Sequence, residues 1–200
     1  MAKRGDRGGA KTRAHIAAVA TELFVERGFD DVTVAEIAAA SGVSKVTVFS
    51  HFERKEDLAL DRLPDAVGVA RAAIRDRPDG VGVVEAFRRT ALALAQEQHP
   101  LSGLSPAGEP LARTVAGSRA LISRLREFEH EIEAELADEL ESDARFSGDS
   151  ELVAAVIVAA YRTVAVATTR RRLAGDDLDV LVAAHCERLN AAFTALAAAW

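Results

Sequence analysis

The sequence predicts an all-α fold, and three observations carry that prediction. Apolar residues recur at three- and four-residue spacing along most of the chain, Ser and Thr caps and glycine stops bracket those stretches, and only 13 Gly and 5 Pro interrupt 200 residues. With 49% apolar and 28% charged residues the chain can bury a core, which excludes a disordered or fibrous protein. A single cysteine, Cys186, excludes an internal disulfide and a cysteine-clustered zinc or iron–sulfur site. The longest unbroken apolar run, Leu152 to Tyr161, is half a membrane span and ends at Arg162, and the first residues are charged where a secretory signal is apolar. The expectation is a soluble, cytoplasmic protein.

Ile16, Val19, Ala20, Leu23 and Phe24 form one buried stripe, so a first helix is expected over about 12–27, with Thr12 as cap and Gly28 as stop. Thr33-Val-Ala-Glu36 has the capping-box pattern, and Val32 with Ile37 fits the apolar staple across it; a short second helix ends near Ala40. Ser41-Gly42 breaks the chain, Ser44 caps a third helix over about 45–51, and Val43 with Val48 repeats the staple. A fourth helix is expected from Lys55 to Arg77 with a kink at Pro64, and a fifth from Val83 to Gln98. The stretch His99 to Pro110, with three prolines and two glycines, reads as the longest loop. Helices near 110–116 and from Ser118 to about Glu141 follow, and two Ala- and Val-rich helices over 151–173 and 178–198 close the chain.

Two short capped helices joined through Ser41-Gly42-Val43 and braced by a preceding helix make a helix-turn-helix. With Val48 inward, the 100° step of a helix turns Val46, Thr47 and Ser50 toward a major groove, and Lys45, His51 and Lys55 stand where phosphates would lie. The net charge of −6 is unevenly placed. Residues 1–58 hold nine basic and nine acidic side chains, and Lys3, Arg4, Arg7, Lys11 and Arg13 form a basic arm against Asp6 alone. Local field, more than the total, decides phosphate binding.

At Thr33-Val-Ala-Glu-Ile-Ala38, Gly42-Val-Ser-Lys45, Thr47-Val-Phe-Ser-His-Phe52 and Lys55-Glu-Asp-Leu58 the chain resembles the N-terminal DNA-binding domain of TetR/AcrR-type transcriptional regulators. The resemblance implies a DNA-binding domain over 1–58 and a helical ligand-binding and dimerisation domain over 59–200. It places DNA contacts at Thr33, Lys45, Val46, Thr47, Phe49, Ser50, His51 and Lys55. Phe49 stands where the family usually has tyrosine and lacks the hydroxyl that reaches a phosphate; Val46 replaces a smaller residue and either meets a thymine methyl or obstructs docking. Arg54 takes a place where a polar cap is common.

The resemblance further implies a homodimeric repressor released from palindromic double-stranded DNA by a small-molecule effector, with an activator or a ligand-independent regulator as the alternative. Phe87, Gln98, His99, Phe128, Tyr161 and Thr168 are candidate ligand contacts between helices. Leu152, Val156, Ala160 and Thr163 on one C-terminal helix, and Leu181, His185, Leu189 and Phe193 on the other, form the candidate dimer face. A helical-bundle enzyme is disfavoured. Glu127-x-x-His130 is half of a di-metal motif without its second half, Gly80-Val-Gly82 lacks the strand and third glycine of a phosphate cradle, and Cys186 sits among apolar neighbours. Neither a catalytic set nor a metal or other cofactor is expected.

Overall fold

The computed structural model describes residues 4–198, and every described element is helical. The chain divides into two compact units, one of residues 1–61 with 113–124 and one of residues 62–112 with 125–200. This differs from a single cut at residue 58. The reason is Leu121: it is fully buried in the first unit's core, with Val115 and Ala120 packed beside it, although residues 62–112 intervene along the chain.

In the first unit, α1 (Arg4–Arg27), α2 (Val34–Ala40), α3 (Lys45–His51) and α4 (Lys55–Ala59) enclose Ile16, Phe24, Phe29, Ile37, Val48, Phe52 and Leu58. The helix α1 starts earlier than the cap signal suggests, because the Thr12 hydroxyl donates back to the Gly8 carbonyl at 3.0 Å instead of capping a helix start. Lys3 of the basic arm lies outside the described residues. Gly28, at φ +87°, closes α1 with its N–H on the Phe24 carbonyl at 2.9 Å, a conformation that costs other residues a Cβ clash.

The second unit holds α5 (Leu63–Arg75), α6 (Val83–Gln96), most of α8 (Arg119–Glu141), α9 (Ser150–Leu173) and α10 (Leu178–Ala197); α7 (Glu109–Gly117) lies between the 3₁₀ turns of the long loop and α8. The expected kinked helix over 55–77 is two helices. Leu60 leaves helical geometry, and Pro64 falls in the first turn of α5, where its missing N–H costs no hydrogen bond. Ile74, Ala95, Leu104, Leu136, Leu140, Ala154, Leu181, Leu189 and Phe193 form the core.

Charged residues tie this unit's ends. Arg71 and Arg75 of α5 pair with Glu135 and Glu139 of α8, and buried Arg77 pairs with Asp143. Arg145 donates to the carbonyls of Ile74 and Arg75 in the last turn of α5 and to that of Arg77 just beyond it. The Arg145 and Arg77 guanidiniums hold the Asp143 carboxyl well below the usual carboxylate range. Buried Arg172 donates to the carbonyls of Gly103, Ser105 and Pro106 and so fastens the long loop to α9. By length and composition α9 is apolar enough to cross a membrane, yet Val153, Ala154, Ile157 and Val164 are packed into the core.

Candidate nucleic-acid interface

The recognition element is built by caps. Thr33 donates its backbone N–H and its hydroxyl to Glu36 Oε2 at 2.8 and 2.7 Å, and its Oγ1 accepts from the Glu36 N–H at 3.3 Å. These bonds, with the Arg27 ion pair at 2.7 Å, pull the Glu36 carboxyl down to about 2. Gly42, at φ +67°, turns the chain, and Ser44 Oγ accepts from the Thr47 N–H at 3.0 Å to start α3.

With Val48 buried, the opposite side of α3 is open: Val46 is 79% exposed and Phe49 52%. Thr47 is half-buried and shares a hydrogen bond with Ser44 Oγ at 2.9 Å; Ser50 is exposed and donates its hydroxyl to the Thr47 carbonyl at 2.7 Å. Lys45 is exposed at the first position of the helix. Val46, Thr47, Phe49, Ser50 and Lys45 therefore lie on one short helix with their side chains at or near its surface. Thr33 is exposed, but its hydroxyl is engaged in the capping box.

Two basic residues have structural work that the sequence reading missed. Lys55, expected on phosphate, donates its ammonium to the Phe29 carbonyl at 2.6 Å and lies 4.1 Å over the Phe29 ring and 5.7 Å from that of Phe24. The carbonyl and two aromatic faces draw the charge into the unit instead of outward. Arg13, counted in the basic arm, donates to the His51 carbonyl at the end of α3 and stacks 4.1 Å over Phe52.

The other candidate sites scatter. Tyr161 donates to the Leu101 carbonyl at 3.1 Å, and burial pushes its hydroxyl up to about 12. His99 caps the 3₁₀ turn by accepting from the Leu101 N–H at 3.2 Å, next to Gln98 at φ +50°. Phe87 packs against the core, and Phe128 is half-buried on α8. Thr168 is buried and hydrogen-bonded to His185 Nδ1 at 2.8 Å. Tyr161 and His99 thus meet through Leu101, whereas Thr168 serves the α9–α10 contact.

The dimer expectation is corrected on α10. Leu181, His185, Leu189 and Phe193 are all buried inside the subunit, against α6 and α9, and are closed to a partner. On α9, Leu152 and Thr163 are exposed and Val156 and Ala160 half-buried. Val156, Ala160 and Thr163 line an open groove of about 460 Å³ with Arg188, Ala191, Ala192 and Leu196 of α10. Burial pushes the Cys186 thiol up, and the surface His130 sits 3.3 Å from Glu133.

A capped helix pair turned through a glycine, with one face in the core and the other presenting a short polar and apolar strip, defines a helix-turn-helix DNA-binding domain. Residues 16–61 match the family of bacterial regulatory proteins, tetR family. Along 196 residues, 95% of this chain and 86% of the relative, the sequence is 28% identical to the HTH-type transcriptional regulator TcmR of Streptomyces glaucescens. Along 90 residues, 42% of this chain and 43% of the relative, it is 33% identical to the HTH-type transcriptional repressor BepR of Brucella suis biovar 1 (strain 1330). The structure of a SmeT–triclosan complex shares the fold, with a TM-score of 0.61 at 17% identity over 92% of this chain and 91% of that one. Residues 16–61 thus carry a helix-turn-helix DNA-binding domain of the tetR family, and along most of its length the chain is similar to an HTH-type transcriptional regulator.

Proposed function

We propose that the protein is a cytoplasmic, homodimeric repressor, and not an enzyme, that occupies a palindromic operator and leaves it when a small molecule binds. The observation that carries the DNA contact is the open face of α3: Val46, Thr47, Phe49 and Ser50 toward bases, with Lys45 and His51 toward phosphates. Lys55 is withdrawn from that set, since its ammonium is engaged with Phe29. Repression is supported by likeness to BepR, described as a repressor, and an effector by the fold shared with SmeT, which was solved with triclosan. A second copy is supported by the apolar groove between α9 and α10, where Leu152 and Val166 add further exposed apolar surface. The first unit reads DNA, and the second binds effector and partner.

Two copies on a palindrome place their recognition helices about 34–36 Å apart or a multiple of it. An effector that binds better to a conformer with another spacing lowers operator affinity by that difference in affinity and no more. Selection of bound sequences from random duplex DNA tests the reading. An inverted repeat with half-sites one helical turn apart is the expected result, and the absence of enrichment contradicts it.

A further inference from the structure

The outward face of α3 is short of the side chains that usually read bases. Its seven residues, Lys45 to His51, include no Arg, Asn or Gln, and of the residue types that pair bidentately with guanine or adenine they hold only Lys45, at the first position. Of its two hydroxyls, Ser50 spends its only proton on the Thr47 carbonyl and Thr47 shares a bond with Ser44. What the face offers instead is apolar. Val46 at 79% and Phe49 at 52% exposure are two of the six large apolar residues exposed among those described, and they stand three positions apart on the same short helix. Side chains so spaced have Cβ atoms about 5–6 Å apart, which spans one to two base steps of about 3.4 Å. The apolar group that the major-groove edge presents is the C5-methyl of thymine.

We propose, resting on the DNA-binding reading above, that Val46 and Phe49 are specificity-determining residues that seat thymine methyl groups, so that each half-site carries a thymine under each of them. Phe49 has no hydroxyl for a phosphate, and its ring gains only by displacing water from an apolar surface. Val46 projects from the second position of α3, where a recognition helix meets base edges with its N-terminal residues. Lys45 then holds the backbone beside it. Thr47 and Ser50 contribute acceptor oxygens to exocyclic amino groups.

The test uses the full-length protein and the operator enriched by selection, with each thymine of one half-site replaced singly by deoxyuridine, which removes the methyl and keeps the pairing. The wild-type protein is expected to bind about four-fold more weakly at one position per contact, equivalent to about 0.8 kcal/mol. Val46→Ala should bind the thymine and deoxyuridine forms of its position equally, and Phe49→Ala the same for the second position. Changing that thymine to cytosine should weaken binding, and 5-methylcytosine should restore part of it to wild type but not to the variant. Both substitutions alter exposed side chains, so thermal melts serve as the control for folding. Equal wild-type affinity for every deoxyuridine operator overturns the proposal while leaving the regulator reading intact, as does a loss that persists undiminished in both variants. Failure to enrich any DNA overturns the two together.

Discussion

Lys55 and Lys45 lie ten residues apart, and only one of them is free to meet DNA. The Lys55 ammonium is held by the Phe29 carbonyl and ring, so Lys55→Ala removes a charge-assisted hydrogen bond and a cation–π contact from the first unit. A stability loss of about 2 kcal/mol is expected, with the salt dependence of DNA binding unchanged. Lys45→Ala should do the reverse: an unchanged melt and a salt slope reduced by about one. Paired melting curves and salt titrations separate the two, and equal slopes for both variants would contradict the assignment. His185 makes a second residue-scale case. Burial, and then Arg188, holds its imidazole below the ordinary value of 6.5, with Nδ1 on Thr168 and Nε2 buried without a hydrogen-bond partner. As pH falls below 6.5 the unfolded chain takes up a proton that the folded one resists, so stability is full above 6.5 and falls toward acid, at no more than about 1.4 kcal/mol per pH unit. Melts between pH 7.5 and 5.5 should show this slope, and His185→Asn should remove it. Neither role was legible in the sequence, because a lysine or histidine carries no local mark of which way its side chain turns.

At the scale of elements, local signals placed α2 and α3 close to their observed ends, since a capping box, a Ser cap, staples and a glycine turn act within four residues. The apolar stripe of α10 was also legible as buried. Its covering element was not, because a stripe reads the same whether a neighbouring helix or a second subunit closes it. In the fold α6 and α9 close it, and the α9–α10 groove is the surface left open. Leu189→Ala is therefore expected to cost about 2–5 kcal/mol as a core cavity, with the oligomeric state unchanged while the protein stays folded. Ala160→Glu sets a carboxylate in the open groove, where water solvates it in the separated subunit and an apolar partner would strip that water away. Its melt should be little altered and its dimer lost, read by light scattering at micromolar concentration. A dimeric Ala160→Glu protein would remove this groove from the interface.

At the scale of the whole molecule, the boundary between units defeats a reading made along the chain. A single cut near residue 58 fits the charge shift and the end of the motif, yet the first unit also contains residues 113–124. Only three-dimensional closure reveals that Leu121 fills the core beneath α1 and that Arg124 pairs with Asp57 at 2.8 Å. The apolar spacing of α8 marks one side of that helix for burial but carries no information about which core Leu121 enters. The consequence is that the DNA-binding unit depends on a segment outside its motif. Leu121→Ala in the full-length chain should leave a cavity there and destabilise that unit by about 2–5 kcal/mol, more if its surroundings stay rigid. Amide hydrogen exchange localises the effect: protection in α1 and α2 should fall, while α10, whose core lies in the second unit, should keep its protection. Operator affinity should drop only at temperatures where the first unit opens, since no DNA-facing side chain has been changed. Loss of protection confined to α9 and α10 would place Leu121 in the other core and restore the simple division of the chain.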